Sequence, residues 1–142
     1  MPEPAPARSL TKSVAIDRPA KDVFAYLADA SNWPQWSVVN VLAVEAATDP
    51  DHWQITTPRG NGELRIRADA TSGLLDHDFS DPQAAWTVPA RVLQNGRGAE
   101  FLMTFFQPAA LGDAEFDRQA SLIDTELATL KKVLEGGQRI AP

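Results

Sequence analysis

Residues 13–36 read SVAIDRPAKDVFAYLADASNWPQW, and this stretch contains the start of a fold in order: a strand, a turn, a helix and an aromatic turn. Val14 and Ile16 alternate with small residues at the period of two that is typical of a half-buried strand. Pro19 then fixes φ at a value suited to the first turn of a helix. We therefore expect a strand that ends before Pro19 and a helix that extends to about Ala30.

This first helix has one narrow apolar face, formed by Val23, Phe24 and Leu27 at helical spacing. One side of the helix should consequently be buried. Trp33 and Trp36 follow directly and bracket a turn. Two rings of this size require a buried place in the fold, because each removes a large apolar area from water.

A second helix is predicted from about Asp113 to Glu135, bounded by Gly112 on one side and Gly136-Gly137 on the other. Its apolar residues recur at alternating steps of four and three and form one long stripe. The stripe consists of Phe116, Ala120, Ile123, Leu127, Leu130 and Leu134. Such spacing also occurs in coiled coils, but three heptads of mixed residue size favour a helix that lies across a sheet.

The sequence between the two helices alternates at a period of two and is interrupted by turn residues. The predicted strands are Val38 to Val44, His52 to Thr57, Glu63 to Ala70, Leu74 to Phe79, Ala85 to Gln94 and Ala99 to Gln107. With the strand that contains Val14, they make seven.

Pro89 lies inside one of these predicted strands and cannot donate a hydrogen bond to a neighbouring strand. This strand should therefore contain a bulge or another irregularity. Strict alternation from Trp86 and Val88 turns Arg91 outward, whereas a slip of one residue turns it inward as an anchor for a carboxylate or carbonyl. The alternation favours the outward orientation.

The opening segment resembles the START/Bet v 1-like superfamily, and within it the SRPBCC group labelled polyketide cyclase/dehydrase. The resemblance continues in GLLDHDF at residues 73–79, VPARV at residues 88–92 and ELATLK at residues 126–131. It implies an α+β helix-grip fold, in which a curved seven-stranded antiparallel sheet wraps around a long C-terminal helix and a short helical pair follows the first strand. The superfamily includes binding proteins, cyclases and co-chaperones, so the resemblance alone assigns no activity.

Length and composition favour one domain. The chain has 142 residues, of which 44% are hydrophobic, and we expect a single domain at 10–142 preceded by a disordered tail at 1–9, where three prolines occur. There is no cysteine, which excludes disulfides and thiolate metal sites and is compatible with a reducing cytoplasm. Our prediction for the location is cytoplasmic.

Charge and hydropathy exclude two kinds of partner. The formal net charge of -6 gives a surface that on average repels a phosphate backbone, so nucleic acid is not an expected partner. No apolar run is long enough for a membrane span. No phosphate-binding or dinucleotide-binding motif is present either, since the G-x-G triplets lie at hairpin turns, and we expect no cofactor.

His77 is the candidate for acid–base chemistry, and it lies between Asp76 and Asp78 in a predicted strand. Successive side chains of a strand point to opposite faces, so His77 shares a face with Leu75 and Phe79 and the two aspartates share the other. One metal ion cannot bind all three, and no metal site is expected. If His77 faces inward, burial should lower its pKa and leave a neutral imidazole. The alternatives are a core histidine satisfied by a neighbour and a histidine that contacts a ligand.

The inward-facing set is aromatic and aliphatic, and each member alone is compatible with an ordinary core. Together, on a curved sheet facing a helix, they can line a pocket for a hydrophobic small molecule. The candidate ligand-binding residues are Trp36, Trp53, Ile55, Ile66, His77, Phe79, Trp86, Phe101, Met103 and Phe105.

Three functions are compatible with these features. The first is binding of a hydrophobic or aromatic small molecule in an internal cavity between the sheet and the C-terminal helix, with His77 as the polar contact. The second, which the family label suggests, is a polyketide cyclase or dehydratase in which His77 moves protons. The third is a co-chaperone-like interaction module. It would use an exposed apolar patch at Leu102 and Phe106, which also suits a homodimer.

Overall fold

The protein folds as an antiparallel sheet gripping a long helix, as seen in a computed structural model that describes residues 5–136. The strands within these residues are β1 (Ser9–Ile16), β2 (Ala43–Ala46), β3 (His52–Thr57), β4 (Gly60–Asp69), β5 (Leu74–Ser80), β6 (Ala85–Val88), β7 (Ala90–Asn95) and β8 (Gly98–Phe106). The helices are α1 (Ala20–Ala28), α2 (Trp33–Trp36) and α3 (Asp113–Gly136), with a 3₁₀ turn at Ala30–Asn32. The sheet order is β1-β8-β7-β5-β4-β3-β2, and β6 pairs with β5 beside this path. The predicted helix-grip α+β fold is confirmed.

The eighth strand arises because Pro89 divides the strand predicted at Ala85 to Gln94 into β6 and β7. Proline has no N–H for the ladder, so regular pairing stops there. The N–H of Ala90, which follows it, donates to Oδ1 of Asp76 at 3.0 Å. The chain then resumes pairing as β7, now mainly against β8 instead of β5. The predicted irregularity at Pro89 is confirmed.

The valine-rich segment predicted as a strand from Val38 to Val44 is mostly a loop, and β2 begins only at Ala43. A buried carboxylate from α3 explains the difference. Glu126 Oε2 accepts hydrogen bonds from the backbone N–H groups of Val39 and Asn40, each at 3.0 Å. These donors are therefore unavailable for pairing with a strand.

Helix α3 lies across the sheet, as the heptad stripe predicts, and packs against β1 and α2. All six residues of the stripe are buried. Glu126 is buried beside them, which the sequence interpretation missed. No helix within residues 5–136 has the length and apolarity needed to cross a bilayer.

The N-terminal segment is tied to α3 before β1 begins. The Arg8 guanidinium forms an ion pair with Asp117 and lies 5.4 Å from the ring centroid of Phe116. Strand β1 begins at Ser9, the last residue of the tail expected at 1–9. Residues 1–4 of that tail, and Gly137 of the pair expected to end α3, lie outside the described residues.

Candidate functional site

Six rings lie in successive contact from the rim of the sheet to the core, and we refer to them as the aromatic chain. In order of contact they are Trp86, Phe79, His77, Trp33, Trp36 and Phe101. Trp86 stacks on Phe79 with centroids 5.5 Å apart, and the later contacts are edge-to-face at 4.9 to 6.1 Å. Both geometries are favourable for aromatic pairs.

The strand register explains how the outer rings come together. Trp53 is paired with Leu64, Leu64 with Phe79, and Phe79 with Trp86, so these four side chains form one row on the inner face. His77 belongs to the next row along β5, two residues away and therefore on the same face. On this inner face the rings of His77 and Phe79 lie next to Trp33 of α2.

The ten predicted binding residues differ in how deeply they are buried. Six are buried, namely Trp36, Ile55, Ile66, His77, Phe101 and Met103. Trp53, Phe79 and Phe105 are half-buried, and Trp86 is 41% exposed. The predicted set thus extends from the buried interior to the surface, where Trp86 lies.

Two cavities in the described part of the chain lie away from these residues. They have volumes of about 200 and 240 Å³, and both open to the surface beside Arg97 and Gly98. None of the ten predicted residues lines either cavity. The interior next to His77 is occupied by the rings of the aromatic chain, so a ligand has to displace part of that chain to reach His77.

Trp33 belongs to the site and was not among the residues predicted from the sequence. It is buried between His77 and Trp36, and its indole N–H donates to the carbonyl oxygen of Leu27 at 2.8 Å. The spacing of three in W-P-Q-W was the available signal, because residues three apart in a helical turn share a face.

His77 is neutral and fully buried, with an exposed fraction of 1%. Burial lowers its pKa to about 4, although the Leu75 carbonyl and the charges of Asp76 and Asp78 act to raise it. Nδ1 lies 3.0 Å from the carbonyl oxygen of Leu75, which can only accept, so Nδ1 carries the proton. Nε2 is then an acceptor, and no group in residues 5–136 donates to it.

The charged neighbours of His77 in sequence lie on the opposite face, as the alternation predicts. Asp78 accepts hydrogen bonds from Arg67 at 3.0 Å and from Thr87 at 2.6 Å on the outer surface. Arg91 is also exposed there, in the favoured outward orientation, and donates from Nε to the carbonyl oxygen of Ser72 at 2.9 Å. The inner face next to His77 is therefore apolar.

The buried state of His77 predicts a loss of stability in acid. The unfolded chain takes up a proton near pH 6.5, whereas the folded protein does so only near pH 4. Between these values the unfolded state binds more protons, so stability falls as the pH falls, by about 3 kcal/mol once the pH has passed through 4. Urea unfolding at a series of pH values measures this loss.

His77→Gln should lack this component of the pH dependence. Glu126 contributes to the pH dependence of stability in the opposite direction, because burial raises its pKa. This contribution is present in both wild type and His77→Gln, so it cancels when their stabilities are subtracted. His52→Gln, which changes the histidine on the outer face of β3, is the matched control with which the pH dependence of His77→Gln is compared. If the free energies of unfolding of wild type and His77→Gln change in parallel with pH, His77 is not a neutral, buried group.

Comparison with known proteins places this geometry in a family. A profile of the family described as "Polyketide cyclase / dehydrase and lipid transport" matches residues 7–135. No curated protein sequence matches significantly.

Solved structures share the fold at low sequence identity. The di-domain ARO/CYC BexL from the BE-7585A biosynthetic pathway has a TM-score of 0.69 and 20% identity, over 87% of this chain and 45% of BexL. The Aha1 dimer from Colwellia psychrerythraea has a TM-score of 0.71 and 10% identity, over 92% and 98% of the two chains. Ara h 8.0201 has a TM-score of 0.64 and 10% identity, over 90% and 97%. At these identities the similarity supports the fold alone.

Proposed function

The chain belongs to the polyketide cyclase / dehydrase and lipid transport family, and from this premise we propose that it binds a hydrophobic or aromatic small molecule against the inner face of its sheet. The observation that carries the proposal is His77, whose neutral ring offers an unoccupied acceptor nitrogen inside a wall of aromatic side chains. An apolar wall with one well-placed polar atom is the usual composition of a small-molecule site.

Partly exposed aromatic side chains at the rim of the sheet would give a ligand access to the interior. Trp53, Phe79, Trp86 and Phe105 keep part of their surface in contact with solvent. Phe79 contacts Trp86 on one side and His77 on the other, so it connects the rim to the interior. A ligand that replaces Phe79 against Trp86 would reach His77, and burial of its apolar surface would provide most of the affinity.

Catalysis of the cyclase or dehydratase type is the second candidate, and it is suggested by the description of the family. In that case His77 would accept or donate the proton. A base with a pKa of about 4 is a weak proton acceptor at neutral pH, which makes binding the better supported role. If His77→Gln keeps ligand binding but loses turnover, catalysis becomes the better supported role.

The proposal predicts that ligands raise the melting temperature. A ligand that binds only the folded state adds about 2.7 kcal/mol at one hundred times its Kd, equivalent to several degrees for a domain of this size. Thermal denaturation with a panel of aromatic polyketides, flavonoids, sterols and fatty acids should give at least one saturable shift.

Two variants localise this effect. Trp86→Ala removes a ring from the rim and should reduce the shift, whereas Arg65→Ala changes an exposed side chain on the outer face of β4 and should preserve it. The binding proposal fails if no compound raises the melting temperature, or if both variants show the same ligand-induced rise as the wild type.

An interaction role and a homodimer remain predictions for the outer surface. Leu102 is half-buried there and Phe106 is 53% exposed. Mass measurement in solution, on wild type and Phe106→Ser, tests association through this patch. The cytoplasmic location rests on the lack of cysteine and is likewise a prediction.

A further inference from the structure

The chain contains two Asn-Gly dipeptides, Asn61-Gly62 and Asn95-Gly96. An asparagine followed by glycine loses ammonia readily, because glycine has no side chain to hinder attack of its nitrogen on the amide before it. The structure places the two dipeptides in different surroundings. Asn61 and Gly62 lie inside β4, whereas Gly96 begins the two-residue turn that connects β7 to β8.

The backbone nitrogen of Gly62 is held in the sheet. Ile66 N–H donates to the carbonyl oxygen of Asp51 at 3.3 Å, and in the same register Gly62 is paired with Ile55. Because hydrogen-bonded pairs recur at every second position of an antiparallel ladder, the Gly62 N–H donates to Ile55. A Cβ on Gly62 would lie 2.8 Å from the carbonyl oxygen of Ser80, so the backbone here is also closely packed. The Gly62 nitrogen can attack a side chain only after this pairing breaks.

The backbone nitrogen of Gly96 is not held in this way. Asn95 and Gly98 form the last pair before the turn, and Gly96 has a φ of 58°, which suits glycine at the first position of a two-residue turn. No group in residues 5–136 accepts its N–H. A Cβ on Gly96 would meet no atom within 4 Å, and both Asn95 and Gly96 are exposed. Water and the neighbouring side chain therefore have access to this peptide unit.

We propose that Asn95 is a site of spontaneous deamidation in the folded protein, and that strand pairing protects Asn61 from the same reaction. The Gly96 nitrogen attacks Cγ of Asn95, so that an N–Cγ bond forms, the Cγ–Nδ2 bond breaks, and ammonia leaves with the hydrogen of the attacking N–H. Water then adds to either carbonyl of the cyclic imide and gives aspartate or isoaspartate. No atom is oxidised or reduced, and water is the only co-reactant.

The reaction changes the charge of the β7–β8 hairpin. Asn95 Nδ2 donates to Oε1 of Glu100 at 3.1 Å, and Asn95 lines the cavity of about 200 Å³ together with Arg97 and Lys131. The product has a carboxylate in place of this donor, so a hydrogen bond to Glu100 is replaced by repulsion between like charges. The isoaspartate form also adds a carbon atom to the backbone just before the turn. Deamidation therefore alters the hairpin and the wall of this cavity irreversibly.

Ageing of the purified full chain at mildly alkaline pH tests the proposal, with the same chain unfolded in guanidinium chloride as the control. Peptide mapping by mass spectrometry, with separation of the aspartate and isoaspartate products, gives a rate for each Asn-Gly site. In the folded protein Asn95 should react about tenfold or more faster than Asn61, because reaction at Asn61 requires the hydrogen bond of Gly62 to break first. In the unfolded chain the two sites should react at similar rates.

Two variants assign the product. Asn95→Gln should remove the main product of the folded protein, and Asn61→Gln, the matched control, should leave it. Equal rates at both sites in the folded protein would overturn the proposal, because pairing of Gly62 would then give no protection. Reaction of both sites in guanidinium chloride but of neither in the folded protein would also overturn it, because the turn would then protect Asn95. The proposed binding function does not depend on either result.

Discussion

Replacing Glu126 by alanine should lower the free energy of unfolding by about 3 to 5 kcal/mol, because several hydrogen-bond donors lose their acceptor, and this is a large fraction of the stability of a domain of this size. The carboxylate is 1% exposed and holds the loop between α2 and β2. It accepts hydrogen bonds from Ser37 Oγ at 3.1 Å, from the Val39 and Asn40 N–H groups at 3.0 Å, and from Asn40 Nδ2 at 3.2 Å. The substitution removes the acceptor of the buried Ser37 hydroxyl and of the half-buried donors of Val39 and Asn40.

Asp124→Ala is the matched control for this change. Asp124 lies two residues away on the same helix, is exposed, and pairs with Lys12 at 3.2 Å. Its loss should cost less than about 1 kcal/mol. Glu126→Gln keeps one acceptor oxygen, so its loss in free energy of unfolding should lie between those of Glu126→Ala and Asp124→Ala. Equal unfolding energies for Glu126→Ala and Asp124→Ala in urea titrations would show that the loop does not depend on the carboxylate.

Trp33→Ala should produce a second large loss, also about 3 to 5 kcal/mol, because it removes the ring at the centre of the aromatic chain. The loss combines the transfer energy of a buried indole with the cavity left between His77 and Trp36. It also removes the donor that satisfies the carbonyl oxygen of Leu27.

Added indole should recover part of that loss. A cavity lined by apolar rings stays dry and binds an aromatic molecule of matching size. Millimolar indole should therefore raise the melting temperature of Trp33→Ala by several degrees more than that of the wild type. Trp86→Ala, which removes a ring from the exposed rim, should be less destabilised and should respond no more than the wild type. An equal response of wild type and Trp33→Ala would mean that indole binds somewhere else.

The sequence predicts well those features that depend on local periodicity. The alternation along β5 places His77 on the inner face and the aspartates beside it on the outer face, as observed. The break between β6 and β7 at Pro89 is predictable because proline lacks a backbone N–H wherever it occurs. The stripe of α3 follows from helical spacing in the same way.

Features that depend on contacts distant in sequence were not predicted. The loop after Trp36 reads as a strand because β propensity cannot detect that Glu126, far along the chain, accepts its N–H groups. A signal for Glu126 itself existed, since it lies three residues after Ile123 on the apolar stripe. The alternation also places Trp86 on the same face as Phe79, on which it stacks, but does not predict that 41% of it is exposed.

The central claim, that a small molecule binds against the free nitrogen of His77, is tested most directly by the ¹⁵N resonances of the imidazole rings. The protein has two histidines, and His52 on the outer surface is an internal control. Titration of labelled wild-type protein with 2-naphthol, followed by long-range ¹H–¹⁵N correlation spectra, should move the Nε2 resonance of His77 saturably and leave both His52 nitrogens unchanged. A titration that leaves His77 Nε2 in place, or that moves the two histidines equally, would contradict the account.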